Sequence, residues 1–306
     1  MDLRALLHNI HVFERGWLSS NNILITGASG TALIDSGYCT HADQTLSLVE
    51  AVLQGRVLDT LINTHLHSDH CGGNAALQAR YPALQTLLPP GHAEAVRAWD
   101  AHTLGYIPTG QNCPRFAFSA TLQPGAEMRW GDSLWQVHAA PGHDPHSVIL
   151  FQPERRVLVS ADALWERGFG VVFPELDDMD AFDEVAATLD LIERLQPALV
   201  IPGHGAMFSD VGDALARARQ RLEGFVSSPA KHLLHAAKVL LKYKLLEFQS
   251  ISRTDLLAWM NATPYCTRLM QRCYPQSTAA EAFDALLQDL VRAGAARVSG
   301  DMVHNT

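Results

Sequence analysis

The sequence predicts a layered α/β domain followed by a smaller helical domain, and three observations support this. Short apolar runs typical of strands alternate with helical stretches over residues 1–222. Polar loops containing His, Asp and Gly follow several of these runs. From residue 223 onward the composition becomes helical. We therefore expect an α/β domain over residues 1–222 and a helical domain over residues 223–306.

The elements of the first domain follow from local patterns. Residues 22–26 and 31–35 read as a hairpin that turns through the small residues 27–30. Residues 40–54 carry apolar side chains at helical spacing, and residues 57–62 form an apolar run that predicts a strand.

A second series of elements follows. Strands are predicted at 135–138, 147–151, 156–160 and 198–201, with a helix at 180–195. Residues 101–125 break this rhythm with several Gly and Pro residues, which predicts an irregular segment that could cover a site.

The C-terminal segment has its own pattern. Helices are predicted at 229–248, 252–260 and 278–294, followed by a short hairpin near 295–303. Several helices followed by a hairpin resemble the outline of a winged helix.

Charge is distributed unevenly along the chain. The net charge is −9, and the segment after residue 222 holds nine basic and seven acidic residues, so residues 1–222 carry −11. All four lysines lie after residue 222. An acidic body argues against extended binding of nucleic acid, but it leaves room for a local basic entrance contributed by the C-terminal segment. We expect a small-molecule substrate as the partner, with nucleic acid as the less favoured alternative.

Composition also bears on the compartment. No apolar stretch is long enough for a transmembrane helix, so we expect no membrane partner, and the N-terminus does not resemble a signal peptide. The five cysteines are odd in number and have no CxxC spacing. Disulfides and a cysteine zinc site are therefore disfavoured, and we expect a cytoplasmic protein.

The segment from His65 to His70 is the densest chemical feature, with three imidazoles and one carboxylate in six residues. It follows the predicted strand at 57–62. His65 and His67 are two residues apart, so both face the same side of an extended segment. Imidazole and carboxylate are the ligands that zinc and similar divalent metals take from proteins, and the segment therefore predicts a metal site.

Three later loops also follow predicted strands and carry the same residue types. They contain His143, Asp162 and His204, each close to Gly, Pro or another small residue. Loops at strand ends project side chains into a common cleft, so these residues are further candidates for the same site.

These motifs together resemble a known family. The sequence from Thr64 to Asn74, THLHSDHCGGN, is similar to the THxHxDHxGG signature of the metallo-β-lactamase superfamily. The PGH at 141–143, Asp162 and the PGHG at 202–205 follow in that family's order. The resemblance covers roughly residues 10–210. It implies an αββα sandwich with a metal site at one edge between two sheets.

The resemblance further implies a site for two divalent metal ions. It assigns His65, His67 and His143 to the first metal, Asp69, His70 and His204 to the second, and Asp162 to a bridging position. Zinc is the favoured metal, with iron and manganese as alternatives. A metal-bridging hydroxide would be the nucleophile, and Asp69 would be the catalytic residue that transfers its proton.

Several other residues are candidates for supporting roles. His146 matches a second histidine of this loop in the family and is expected to orient a ligand or contact substrate. Trp165, Arg167 and Phe169 follow Asp162 and are candidates to line the substrate cleft, with core packing an equal alternative for the two aromatic residues.

Lys238 and Lys242 lie on one stripe of a predicted helix. We interpret the stripe either as a substrate-binding contact for an anionic group or as a solvated helix face.

The resemblance favours a dinuclear hydrolase that acts on a small ester, thioester or lactone-like substrate, and the histidine cluster is closest to the glyoxalase II form of the motif. An endoribonuclease or phosphodiesterase is the alternative, because the layout is similar to that of β-lactamase-like protein 2. A mononuclear-iron persulfide dioxygenase and an inactive sensor are further alternatives. An O₂- or NO-reducing flavoprotein is disfavoured, because His67 stands where such relatives have Glu.

Overall fold

The computed structural model describes residues 3–306, which form two compact units. The first unit contains the chain up to Leu104 together with Asn112–Leu222, and the second contains Gly105–Gln111 with Glu223–Thr306. The sequence suggested a single boundary after residue 222, and it gave no sign that residues 105–111 group with the C-terminal unit. Within the second unit, the Lys244 ammonium donates to the carbonyl oxygen of Gly110 at 3.1 Å, which helps to hold this segment.

Two sheets build the first unit. The strands are β1 Ile10–Phe13, β2 Asn22–Gly27, β3 Gly30–Ile34, β4 Thr60–Ile62, β5 Gln85–Leu88, β6 Ala120–Thr121, β7 Glu127–Trp130, β8 Ser133–Ala139, β9 Val148–Gln152, β10 Val157–Ala161 and β11 Leu199–Pro202. One sheet has the order β1-β2-β3-β4-β5-β6 and the other β11-β10-β9-β8-β7. The strands predicted from the sequence correspond to β2, β3, β4, β8, β9, β10 and β11.

The helices surround these sheets or form the C-terminal unit. They are α1 Leu3–Leu6, α2 Ala42–Leu53, α3 Ser68–Cys71, α4 Asn74–Arg80, α5 Ala93–Ala98, α6 Tyr106–Thr109, α7 Phe173–Leu176, α8 Phe182–Leu195, α9 Val211–Ser227, α10 Pro229–Phe248, α11 Arg253–Ala262, α12 Pro264–Cys273 and α13 Ala279–Arg292. Among residues 3–306, none of these helices has the length and apolar character needed to cross a membrane.

The main core lies between the two sheets. Ile25 and Ile34 of the first sheet belong to the same buried cluster as Trp135, Leu150 and Val159 of the second. A second cluster covers the other face of the first sheet, where α2 and α4 pack through residues such as Leu53 and Leu77. Burial of these apolar side chains is the main favourable contribution to folding.

The strand directions explain why the polar loops meet at one edge. Strands β3 and β4 are parallel, and so are β10 and β11. Strand β8 runs in the same direction as β10, because each is antiparallel to β9. The ends of these strands therefore share an edge within their sheets, and the backbone N–H of Val148 donates to the carbonyl of Thr64 at 2.9 Å to join the sheets there.

The second unit combines helices with a small sheet. Its strands are β12 Ser250–Ser252, β13 Ala296–Ser299 and β14 Met302–Asn305, paired antiparallel in the order β12-β14-β13. Helix α13 begins with a capping box in which Thr278 and Glu281 satisfy each other's backbone N–H groups. The irregular segment predicted at 101–125 contains α6 and β6. The winged-helix assignment stays a prediction.

Candidate metal centre

The seven residues predicted as ligands lie together at the edge where the two sheets meet. They form two groups, His65, His67 and His143 in one, and Asp69, His70, Asp162 and His204 in the other. Within each group, the atoms that could bind a metal lie within 4.8 Å of one another. This is the grouping that the sequence motifs suggested, except that Asp162 falls with the second group.

Hydrogen bonds orient the first group. The Nδ1–H of His143 donates to the carbonyl oxygen of Val171 at 2.6 Å, so Nε2 carries the free lone pair and points into the cluster. This Nε2 lies 2.8 Å from Nδ1 of His67. Nε2 of His65 is buried and has no hydrogen-bond partner among the residues that the structure describes.

The second group is oriented by a buried carboxylate. Nδ1 of His70 lies 2.8 Å from Oδ2 of Asp35, which leaves Nε2 to face Asp162 at 3.5 Å. Asp35 also accepts hydrogen bonds from the backbone N–H and the hydroxyl of Thr64, at 2.9 and 2.8 Å. Nε2 of His204 lies 3.1 Å from Oδ2 of Asp69.

Asp162 connects the two groups. Its Oδ2 lies 3.4 Å from Nε2 of His143 in the first group and 3.8 Å from Nε2 of His204 in the second. The indole N–H of Trp165 donates to Oδ1 of the same carboxylate at 3.1 Å. This position suits a carboxylate that two cations share.

Burial and neighbouring charge set the ionisation of these groups. Burial, together with the neighbouring imidazoles, holds the pKa of His65 well below its usual value and lowers the pKa of His67 to about 4. Burial opposes ionisation of Asp162, but the imidazoles of His204, His70 and His143 hold its pKa well below the usual range. Neutral imidazole and ionised carboxylate are the forms that bind metals.

The pKa of His70 is shifted in the opposite direction, upward. Burial lowers its pKa, but the carboxylates of Asp162 and Asp35 outweigh this effect and raise it well above the usual value. Burial likewise works against the charge of Asp69, while a hydrogen bond from His204 and the charge of His70 keep its pKa low. Both carboxylates of the second group are thus ionised, and a divalent cation would take the place of the protonated His70 as their positive partner.

Glycines keep the space beside the ligands clear. A Cβ at Gly203 would lie 2.1 Å from Oδ1 of Asp162, and one at Gly170 would lie 2.3 Å from Nδ1 of His143. Backbone therefore approaches the ligands more closely than a side chain allows. Together with the unpaired Nε2 of His65, this packing and the His and Asp donor set fit divalent metal ions.

The other candidates lie in different environments. Trp165 is half-buried beside Asp162, Arg167 is exposed, and Phe169 is buried at 1% exposure and packs in the interior. Of the two alternatives for Phe169, lining the cleft and packing in the core, the burial of its ring favours core packing.

The backbone of His146, and not its ring, is linked to the cluster, through Asp144. Its backbone N–H donates to Oδ1 of Asp144 at 2.7 Å, and Oδ2 of Asp144 lies 3.8 Å from Nε2 of His67. Its ring packs edge to face on His92, with 4.6 Å between centroids. A ligand-orienting role for the imidazole stays a prediction.

Lys238 and Lys242 are engaged within the C-terminal unit. Lys238 forms an ion pair with Asp289 at 3.3 Å, and Lys242 donates to the carbonyl of Ala295 at 2.7 Å and to Oδ1 of Asn305 at 2.5 Å. These contacts favour a structural role, and the predicted contact with substrate stays a prediction.

Sequence reasoning missed three residues at this site. Asp35 follows strand β3 in the way that the ligands follow their strands, and that pattern could have found it. Phe173, whose ring lies 4.8 Å from that of His67, and Trp17, whose ring stacks on His204 at 5.4 Å, carry no comparable signal. Their proximity depends on the tertiary fold.

Comparison with known proteins agrees with this architecture. Residues 15–204 match the model of the metallo-beta-lactamase superfamily. A metallo-beta-lactamase family protein from Thermus thermophilus has a similar structure, with a TM-score of 0.56, 20% identity and coverage of 98% of this chain and 100% of that one. The protein TTHA1623, solved in a di-iron-bound form, has a TM-score of 0.51 at 26% identity and covers 68% of this chain and 98% of its own.

Two curated relatives illustrate the range of sequences that resemble this chain. A hydroxyacylglutathione hydrolase from Anaeromyxobacter dehalogenans is 29% identical over 161 residues, which are 52% of this chain and 52% of that protein. A beta-lactamase-like protein 2 homolog from Drosophila melanogaster is 26% identical over 243 residues, or 74% of each chain. The match to the hydrolase thus spans about half of its length. The αββα fold predicted from the motifs is confirmed, and the chain belongs to the metallo-β-lactamase superfamily.

Proposed function

We propose that this protein is a dinuclear metal-dependent hydrolase that acts on a small thioester or ester. The observation that carries the proposal is the pair of ligand groups joined through Asp162. An isolated group of three imidazoles would suit one metal. A second group with two carboxylates beside it suits a second cation.

The residues of the cluster are proposed to have two roles, binding of metal ions and proton transfer. The three imidazoles of the first group and the His and Asp residues of the second would hold two divalent ions, with zinc first and iron second in our expectation. Bound there, the two ions would supply activation of water as a nucleophile at neutral pH and polarisation of the scissile carbonyl.

Asp69 is the proposed proton acceptor. Its side chain is 14% exposed, whereas that of Asp162 is 6% exposed, so Asp69 is the carboxylate of the second group that reaches further toward solvent. Its low pKa keeps it ionised at neutral pH, so its carboxylate would be available to accept a hydrogen bond and then the proton of a water bound beside it.

The choice of thioester or ester draws on the relatives. Hydroxyacylglutathione hydrolases from several bacteria match about half of this chain. The His and Asp donor set of this chain supports metal-assisted hydrolysis at a carbonyl carbon. The acidic body of residues 1–222, with a charge of −11, opposes a polyanionic substrate.

The proposal is tested with the full chain stripped of metal by a chelator and reloaded with zinc, iron(II) or manganese. Turnover of S-lactoylglutathione, an aryl ester, a lactone, a phosphodiester and single-stranded RNA is measured beside the metal content of the same sample. We expect thioester or ester turnover that needs two metals per chain. The same measurements are made on Asp69→Asn and Asp162→Asn, and Asp213→Asn, at an exposed position, is the matched control.

An endoribonuclease is the second candidate, and one observation favours it. The match to the beta-lactamase-like protein 2 homolog covers 74% of each chain, whereas the match to the hydroxyacylglutathione hydrolase covers 52% of each. RNA cleavage with steep salt dependence, and no thioester or ester turnover, would establish this candidate in place of the first. One iron per chain with O₂ consumption would instead identify a persulfide dioxygenase.

A further inference from the structure

An exposed indole lies directly beside the metal-ligand cluster. The Trp17 side chain is 53% exposed, yet its ring stacks on the ring of His204 with 5.4 Å between centroids and an interplanar angle of 6°. Large aromatic groups left half in water next to a polar cleft are typical of binding surfaces.

A second indole supports the first. Trp165 meets Trp17 edge to face at 5.3 Å and meets His204 in the same way at 5.6 Å. The N–H of Trp165 is occupied by Asp162, so its ring is fixed by a ligand of the cluster. The two indoles and His204 therefore form one continuous aromatic surface.

The loop that carries Trp17 is fastened to the loops that carry the ligands. The backbone N–H of Ser20 donates to the carbonyl of Asp69 at 2.9 Å. The side-chain amide of Asn21 donates to the carbonyls of Pro202 and Gly205 at 3.0 and 2.8 Å. Because these bonds fix the loop of Trp17 against both ligand loops, the exposed face of Trp17 is preorganised beside the cluster.

Apolar surface continues on the side of the first ligand group. The ring of Phe173 lies 4.8 Å from that of His67 and 5.7 Å from that of His143. The cluster itself is acidic and polar, whereas the surfaces beside both ligand groups are aromatic. Such a site favours a substrate with a polar scissile bond and an apolar group next to it.

We propose that Trp17, supported by Trp165, is a specificity-determining residue that binds an aryl or extended alkyl acyl group of the substrate. This inference rests on the proposed function and names its substrate class more closely. The apolar acyl group covers the exposed face of the Trp17 indole while the scissile carbonyl lies over the cluster. Covering roughly 60 Å² of apolar surface corresponds to roughly tenfold in affinity or specificity.

The experiment uses the metal-loaded full chain and two measurements. Binding is measured by calorimetry with two non-hydrolysable thioethers of N-acetylcysteamine, one bearing a phenacyl group and one an acetonyl group. Turnover is measured with the S-benzoyl and S-acetyl thioesters of the same thiol. In both cases the readout is the preference for the aryl compound over the methyl compound.

We expect the protein to prefer the aryl compounds by roughly tenfold. Trp17→Ala should reduce this ratio to about one, and Trp17→Phe, which keeps an aromatic face on His204, should retain most of it. The control is Val57→Ala, since Val57 is 56% exposed and precedes β4, at the end opposite His65. This control should keep the full ratio.

The outcomes separate this inference from the proposed function. A phenacyl preference that depends on Trp17, with no turnover of these thioesters or of any compound in the earlier substrate panel, supports the aromatic surface and overturns the proposed hydrolase. Equal binding of both thioethers, or a preference that survives in Trp17→Ala with intact metal content, overturns the inference. Trp17-dependent binding of a short single-stranded oligoribonucleotide with no phenacyl preference also overturns it, because the indole would then stack on nucleobases.

Discussion

The protein buries two polar clusters that differ in whether their central nitrogen atoms have hydrogen-bond partners within the protein. In the first unit, Nε2 of His65 and Nδ1 of His204 are buried without a hydrogen-bond partner in the described structure. In the second unit, the ammonium of Lys244 donates to Gly110 and Glu247 and lies over the ring of Trp259 at 4.9 Å.

The difference separates a cluster that serves binding from one that serves folding. An unpaired buried polar atom destabilises the fold, and it is retained where a ligand restores the missing interaction. In the second cluster the buried ammonium of Lys244 has its partners within the unit, and the indole N–H of Trp259 is the donor that has none in the described structure. Substitution in the first cluster should therefore act mainly on metal binding and activity, and substitution in the second should act on stability.

The largest expected effect is on activity, from Asp162→Asn. Replacing the shared carboxylate by a neutral amide removes the charge that faces both ligand groups. We expect kcat/KM to fall by at least roughly a thousandfold and the metal content to drop below two ions per chain. The variant should also unfold at a lower denaturant concentration, because the imidazole of His70 loses the Asp162 carboxylate as a partner.

Metal analysis, steady-state kinetics and denaturant unfolding on one preparation check this prediction. Asp213→Asn is the control. Activity within tenfold of the unmodified protein, at two metals per chain, would contradict the bridging role of Asp162.

The next largest effect is on stability, from Lys244→Met. The side chains of Lys244 and Glu247 are 4% and 7% exposed, so removing the ammonium leaves a buried carboxylate without this partner. We expect the free energy of unfolding of the C-terminal unit to fall by about 3–5 kcal/mol. Urea unfolding followed by circular dichroism gives this value.

Two further variants sharpen the result. The double variant Lys244→Met with Glu247→Leu should recover most of the loss, because both charges are removed together. Lys231→Met, at an exposed position on the same helix, should change little. A loss as large in the double variant as in Lys244→Met would show that packing, and not the ion pair, stabilises this unit.

A buried histidine should make the C-terminal unit sensitive to pH. Burial lowers the pKa of His232 to about 4, whereas the ordinary value is 6.5. The unfolded chain therefore binds a proton more readily between these values, so the free energy of unfolding falls as pH decreases from 6.5 to about 4 and levels off below. The full loss is about 3 kcal/mol.

His232→Gln should remove this part of the pH dependence. The quantity to measure is the difference in unfolding free energy between the two proteins at pH 7 and at pH 4.5, which cancels the contribution of the other histidines. If the two proteins differ in unfolding free energy by the same amount at pH 7 and at pH 4.5, His232 does not titrate in this range.

The smallest expected effect is at Asp35, which contacts a ligand without belonging to either group. Asp35→Asn keeps a hydrogen-bond acceptor for Nδ1 of His70 but removes the negative charge. We expect metal affinity to weaken by about 10–100-fold, measured by competition with a chelator. Asp59→Asn, at the start of the neighbouring strand β4, is the control and should keep the affinity. Equal weakening in both variants would argue against a specific role for Asp35.

Much of the site could be predicted from the sequence because its ligands lie in local motifs. Each ligand loop directly follows a strand of the first unit, and the strand direction places these loops at one edge. The supporting residues could not be predicted in the same way. Val171 lies 28 residues from His143, and Trp17 reaches His204 only through the fold.

The sequence by itself determined the donor set, the alternation of strands and helices, and the superfamily. These features depend on residue type and short-range spacing, which a single chain displays directly. The tertiary structure alone decided which nitrogen of His143 and His70 faces the cluster, which residues flank it, and that residues 105–111 join the C-terminal unit. Those features depend on hydrogen bonds and packing between segments far apart in the chain, whose partners no local pattern specifies.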